Sequence, residues 1–245
     1  MPDSSGFAIS STRLPGDRGP LSGVTLLLVE DSRLASEAVR LMCLHSGARL
    51  RRADSLGMAD RHLATYRPDV ALVDLGLPDG SGLELIARLA AMDRPLPVLA
   101  TSGDDGLRQA ALRAGALAFL PKPCASLATF LRAVWSALPG LGGTAPQAGA
   151  DETVSPDLMA YRDDLAHAAA LLEPAVVGPS LGYAARFLAG AACSADDRPL
   201  AEAAGALACH LAGGQPDVPG LAKVASMIRD RLVPAGTGVD WSGPA

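Results

Sequence analysis

Between Val24 and Leu138, short apolar runs alternate five times with stretches of helical periodicity, and this constrains the fold more than any other feature. The runs are 24–29, 48–53, 69–74, 96–101 and 116–120; helix-like segments lie near 33–45, 56–65, 82–92, 105–114 and 125–138. Short, continuously apolar strands are buried on both faces, and strands separated by helices pair in parallel. The pattern therefore predicts an α/β fold, a five-stranded doubly wound parallel sheet. Ser81, with Glu84 three residues on, forms a capping box at the start of the third helix.

The pattern changes after Leu138. Residues 139–155 are rich in Gly, Pro and Ala and read as a linker. Helices alone follow, near 156–173, 180–193, 197–212 and 218–232, with Ser155-Pro156 as the start signal and a small four-helix bundle as the expected outcome. The expected organisation is a flexible tail over 1–22, an α/β domain over 23–138, the linker, a helical domain over 156–233 and a second tail over 234–245.

No stretch approaches the roughly 20 apolar residues of a membrane span, and the first residues lack the basic start and apolar core of a signal peptide. A cytoplasmic protein without membrane contact is expected. The four cysteines show no C-x-x-C spacing, so neither zinc nor a disulfide framework is indicated. From Asp151 onward, twelve acidic residues face six basic ones, a balance that disfavours nucleic acid as a partner.

In doubly wound sheets, ligands bind beyond the carboxyl ends of the strands. The first run ends in Glu30-Asp31, the third in Asp74 and the fourth in Thr101-Ser102; Lys122-Pro123 directly follows the fifth. Three carboxylates crowded together need a cation between them, and Mg²⁺ suits such a set of oxygen donors. With a lysine beside it, that ion forms a clamp for a transferring phosphoryl group, and a carboxylate at its centre can act as nucleophile. Lys122 is one of only two lysines in the chain, which marks its position further.

The stretches LLLVEDS (26–32), VALVDLGLPDGSGLELI (70–86), PVLATSG (97–103) and AGALAFLPKP (114–123) resemble the receiver domains of two-component response regulators, in order and nearly in spacing. The resemblance implies phosphorylation of Asp74 by a sensor histidine kinase or phosphotransfer protein, and no enzymatic activity beyond this Mg²⁺-dependent transfer. It assigns Mg²⁺ to Asp31, Asp74 and the Gly76 carbonyl, with Glu30 acting through water. Lys122 would pair with a phosphoryl oxygen, and Ser102, with Thr101 as the competing candidate, would supply the switch hydroxyl. Phe119 holds the aromatic switch position and is expected to move inward on phosphorylation. Pro78 and Gly82 complete the loop, and Pro123 implies a cis Lys122–Pro123 peptide. Ser102 and Lys122 are about two residues closer than the family pattern, which places a shortening in the intervening loop and helix.

AARFLAGAACSADDRPLAEAAGAL (184–207) is similar to the core of histidine-phosphotransfer domains. Arg186, Ala189 and Gly190 stand where that family has its H-x-x-K-G motif, so the acceptor histidine and the lysine are missing. The resemblance implies a non-catalytic face around Arg186 and Gly190 that docks a kinase or a receiver. Homodimerisation is compatible with this reading. Two alternatives stay open: a relay component carrying phosphate on His167 or His210, and, less favoured, a DNA-binding transcriptional regulator.

Overall fold

The structure is a computed structural model that describes residues 19–138, 153–154, 157–172, 179–214 and 217–233. Five parallel strands, β1 (Thr25–Val29), β2 (Arg49–Ala53), β3 (Val70–Asp74), β6 (Val98–Ser102) and β7 (Ala118–Pro121), form one sheet in the order β2-β1-β3-β6-β7. A two-stranded turn, β4 (Gly76–Leu77) with β5 (Gly80–Ser81), follows β3. The helices between strands are α1 (Arg33–Ser46), α2 (Leu56–Thr65), α3 (Gly82–Ala90) and α4 (Arg108–Ala114), and α5 (Leu127–Ala137) follows β7.

Period-two alternation divides the sheet between two cores. Leu26, Leu28, Leu72, Leu99 and Leu120 face α1 and α5. Leu27, Val29, Val73, Val98 and Ala100 face α2, α3 and α4. The expected strands and helices are found with boundaries moved by a few residues. After Ser102 the chain runs through a 3₁₀ turn (Asp105–Leu107) into a seven-residue α4.

Serine caps fix the helix starts beside the strand ends: Ser32 accepts from Ala35 N, Ser55 from Met58 N, Ser81 from Leu83 N and Ser126 from Thr129 N. Gly82 is required at its position, because a Cβ there would lie 2.0 Å from the Asp74 carbonyl oxygen.

Two boundaries differ from expectation. Leu21, placed in the tail by its Ser, Gly and Pro neighbours, is fully buried in the core under α1, and its N–H donates to the Ser46 carbonyl. Thr153 and Val154, placed in the linker, pair with the α/β domain: Val154 N donates to Ala125 O, and the Val154 side chain is buried. The rest of the expected linker, Ser155-Pro156, the break around Pro174 and residues 1–18 and 234–245 lie outside the described residues.

Four further helices, α6 (Leu158–Leu172), α7 (Pro179–Ser194), α8 (Arg198–Ala212) and α9 (Val218–Leu232), share one apolar core built on Leu165, Leu188, Leu200, Leu207, Val224 and Ile228. Asp197 ties three of them together. It caps α8 at Leu200 N, accepts from Tyr161 Oη of α6 at 2.8 Å and forms a two-point ion pair with Arg231 of α9. Leu34, the second residue of α1, is 2% exposed and lies in this helical core rather than in either core of the sheet.

Leu21→Ala should lower unfolding free energy by about 2–5 kcal/mol in urea titrations, the cost of a cavity at a fully buried leucine. A loss under about 0.5 kcal/mol, the range of surface substitutions, would contradict a structural role for this residue.

Candidate functional site

Parallel pairing brings the carboxyl ends of β1, β3, β6 and β7 to one edge of the sheet, and the sequence-selected residues meet there. Lys122 Nζ lies 2.7 Å from Glu30 Oε2 and 3.2 Å from Asp74 Oδ1. Asp74 Oδ1 also accepts from Leu75 N at 2.9 Å. Glu30 Oε1 accepts from Ser32 N and from Lys122. Ser102 Oγ accepts from Asp104 N, and Thr101 is buried beside Asp74 in the strand register. The Lys122–Pro123 peptide is cis, as expected.

Carboxylate oxygens of Glu30, Asp31 and Asp74 lie within 4.8 Å of one another, so three hard donors converge on one point. Gly76 stands beside them: a Cβ there would be 3.9 Å from Asp74 Oδ2. One ammonium does not balance three acids. Burial, with the neighbouring Asp74 and Asp31, pushes the Glu30 carboxyl up to about 8 despite the opposing pull of Lys122. Burial and Asp74 push Asp31 up to about 6. Burial alone would lower the Lys122 ammonium, but Asp74 and Glu30 hold it above its ordinary value. The donor set and its surplus negative charge fit a divalent cation.

Phe119 is 6% exposed and already inside, with the Arg108 guanidinium 4.7 Å from its ring centroid. The inward position expected of it after phosphorylation is thus already occupied in this structure. Asp79, not singled out in the sequence, caps α2 by accepting from Leu56 N and Gly57 N, and so anchors the loop that carries Pro78.

The helical segment approaches the same edge. Tyr183 Oη donates to Asp31 Oδ2 at 2.5 Å, and Cys193 Sγ donates to the Lys122 carbonyl at 3.2 Å. Gly190, one of the two expected partner-contact residues, approaches Gly103 closely enough that a Cβ on Gly103 would lie 3.4 Å from the Gly190 Cα. Arg186, the other, is exposed. Asp164 of α6 accepts from Ser32 Oγ, Arg33 N and Leu34 N at 2.8, 2.8 and 3.1 Å. Sequence reasoning missed Tyr183 and Asp164. Asp164 had a signal: it falls on the apolar stripe of Tyr161, Leu165, Ala168 and Leu172, where an acid needs a reason. Beside the cluster, a cleft of about 950 Å³ is lined by residues including Asp31, Pro78, Asp164, His167 and Tyr183. His167 packs edge-on against Phe187, and His210 faces Asp217 at 3.1 Å.

Residues 26–133 match the family model described as the response regulator receiver domain. This part of the chain is a receiver domain. Among curated relatives, the virulence transcriptional regulatory protein PhoP of Salmonella typhimurium is 37% identical over 100 residues, 40% of this chain and 45% of the relative. The transcriptional regulatory protein PhoP of Escherichia coli O157:H7 is 35% identical over the same shares. The chain thus spans less than half the length of these relatives. A response regulator receiver protein from Burkholderia phymatum shares 32% identity over 51% of this chain and 99% of its own, with a TM-score of 0.44. The receiver domain of the Pseudomonas aeruginosa sensor histidine kinase PA1611, solved with magnesium in its active-site cleft, shares 25% identity over 50% of this chain and 100% of its own, at a TM-score of 0.44.

Mg²⁺ needs deprotonated carboxylates, while Glu30 and Asp31 hold protons up to about 8 and about 6. Mg²⁺ affinity of the receiver should therefore rise with pH through that window, with proton release on binding. Calorimetric titrations in buffers of different ionisation enthalpy measure both; a pH-independent affinity would contradict the surplus-charge account.

Proposed function

We propose that this chain is a two-component response regulator phosphorylated on Asp74. Its helical segment, a four-helix bundle of histidine-phosphotransfer type without the acceptor histidine, would signal through protein–protein contacts. The observation that carries the reading is the single buried ammonium of Lys122 set between Glu30 and Asp74, with Asp31 completing a cation site.

Asp74 Oδ1 is held by Lys122 and the Leu75 N–H, which leaves Oδ2 as the nucleophile. The donor is the phosphohistidine of a sensor histidine kinase or phosphotransfer protein. Oδ2 forms the new P–O bond as the P–N bond breaks, and the imidazole nitrogen leaves with the bonding pair; a proton already carried by the donor's other ring nitrogen leaves the departing ring neutral. Mg²⁺ held by Asp31, Asp74 and the Gly76 carbonyl, with Glu30 outside it, would supply positive charge to the phosphoryl oxygens. Lys122 neutralises another of those oxygens, and the Ser102 hydroxyl turns toward the new acyl phosphate. Positioning and charge stabilisation do the catalytic work. Thr101, buried beside Asp74 in the strand register, is the neighbour nearest to feel the change.

The curated relatives are transcriptional regulators by name. In this chain a DNA-directed output would rest on the helical segment, whose acidic excess speaks against it. A relay reading has one observation in its favour, the position of exposed His167 on the cleft beside Asp31.

With a labelled small phosphoryl donor and Mg²⁺, wild type should take up label that is lost in Asp74→Asn. Lys122→Ala should slow uptake by about 10²–10³-fold, as removal of a preorganised charge does elsewhere. Base-stable label persisting on Asp74→Asn and absent from Asp74→Asn/His167→Ala would replace this reading with the relay.

A further inference from the structure

The receiver face through which a phosphodonor must reach Asp74 is already occupied by the chain's own helices. α7 packs on β4, directly after the acceptor strand, and its Tyr183, Gly190 and Cys193 fall on one side of the helix at intervals of seven and three residues. These three meet Asp31, Gly103 and Lys122, one residue from each of three different loops at the sheet edge. α6 adds Asp164, only 2% exposed, which closes the N-terminus of α1 through three hydrogen bonds from the receiver. A carboxylate there meets unsatisfied N–H groups and the positive end of the helix dipole together. Leu34 completes the contact by leaving the receiver surface for the helical core. With this face covered, Asp74 is 6% exposed, and Ser194 of α7 lines the same cavity as Glu30, Thr101 and Lys122.

We propose that the α6–α7 face is an intramolecular competitor of the phosphodonor: it docks on the chain's own receiver over Asp74, held by Asp164 at α1 and Tyr183 at Asp31, and must lift for phosphoryl transfer. The proposal rests on the assignment of Asp74 as phosphoacceptor and adds the occupant of its face. The histidine-phosphotransfer resemblance of α7 and its lack of the acceptor histidine accord with a domain that keeps the docking shape without the chemistry. Among the described residues, every hydrogen bond Asp164 accepts comes from the receiver. The acid therefore serves the docked state and not the helical unit by itself. Closure and phosphorylation exclude each other, so by linkage the phosphorylated chain favours the open state. Opening frees the α6–α7 face for a second receiver or a kinase, which turns modification of Asp74 into a change of partners.

Cys193 reports opening independently of phosphorylation. Full-length wild type, Asp164→Ala, Tyr183→Phe and Asp74→Asn are treated with N-ethylmaleimide without Mg²⁺ or donor, and modification of Cys193 is timed by peptide mass spectrometry. Uptake from acetyl phosphate with Mg²⁺ is timed in parallel. Loss of three hydrogen bonds to a buried carboxylate should speed Cys193 modification and phosphoryl uptake in Asp164→Ala by about tenfold or more, and Tyr183→Phe should speed both by a smaller factor. Tyr183→Phe retains the ring and its packing, so it decides the matter if Asp164→Ala does not fold. Wild-type rates in both assays for the folded variants, with label still reaching Asp74, overturn the competitor and leave the receiver reading intact. Faster Cys193 modification with no label on any chain overturns the receiver reading on which the proposal rests.

Discussion

One buried ammonium governs this molecule. Lys122 lies between Glu30 and Asp74 at the ends of three strands, and its charge answers only part of the negative charge gathered there. Burying such a group is costly unless every charge finds a partner. The parallel sheet provides the means, because it aims the carboxyl ends of β1, β3 and β7 at one point while both faces are sealed by helices. What it cannot provide is a second positive charge. The donor set therefore fits a divalent cation, and burial with mutual repulsion holds the Glu30 and Asp31 carboxyls above their ordinary values.

The helical segment responds to the same edge with complementary chemistry. Asp164 meets the electropositive start of α1, and the Tyr183 hydroxyl meets the acid Asp31. Both contacts involve residues next to, or within, the cation site, so occupation of that site and docking of α6–α7 act on the same few atoms. The α/β domain and the helical segment thus meet at the acidic cluster itself.

Four of the five strands were legible because continuous apolar runs and helical periodicity are local signals; β2 differs, an arginine-rich strand with Arg49, Arg51 and Arg52 exposed. Glu30, Asp74, Ser102 and Lys122 were legible because each follows directly from a strand end. Leu21 and Val154 were not, since a single apolar residue among Gly, Ser and Pro gives no period; only the folded core shows the groove each fills. The Arg108 guanidinium over the buried Phe119 ring was not legible either, because that contact exists only once α4 and β7 come together in space. Tyr183 and Asp164 act between domains, where spacing along the chain carries no information about the partner. Asp164 alone left a trace, as an acid on an apolar stripe.

The central claim is that Asp74 carries the phosphoryl group, and chemical trapping tests it most directly. Borohydride reduces an aspartyl phosphate to homoserine, so the chain is incubated with Mg²⁺ and acetyl phosphate, reduced, digested and sequenced by mass spectrometry. The account predicts homoserine at position 74, dependent on Mg²⁺ and on the donor. Homoserine at Asp31 or another aspartate, with position 74 unchanged, would contradict it.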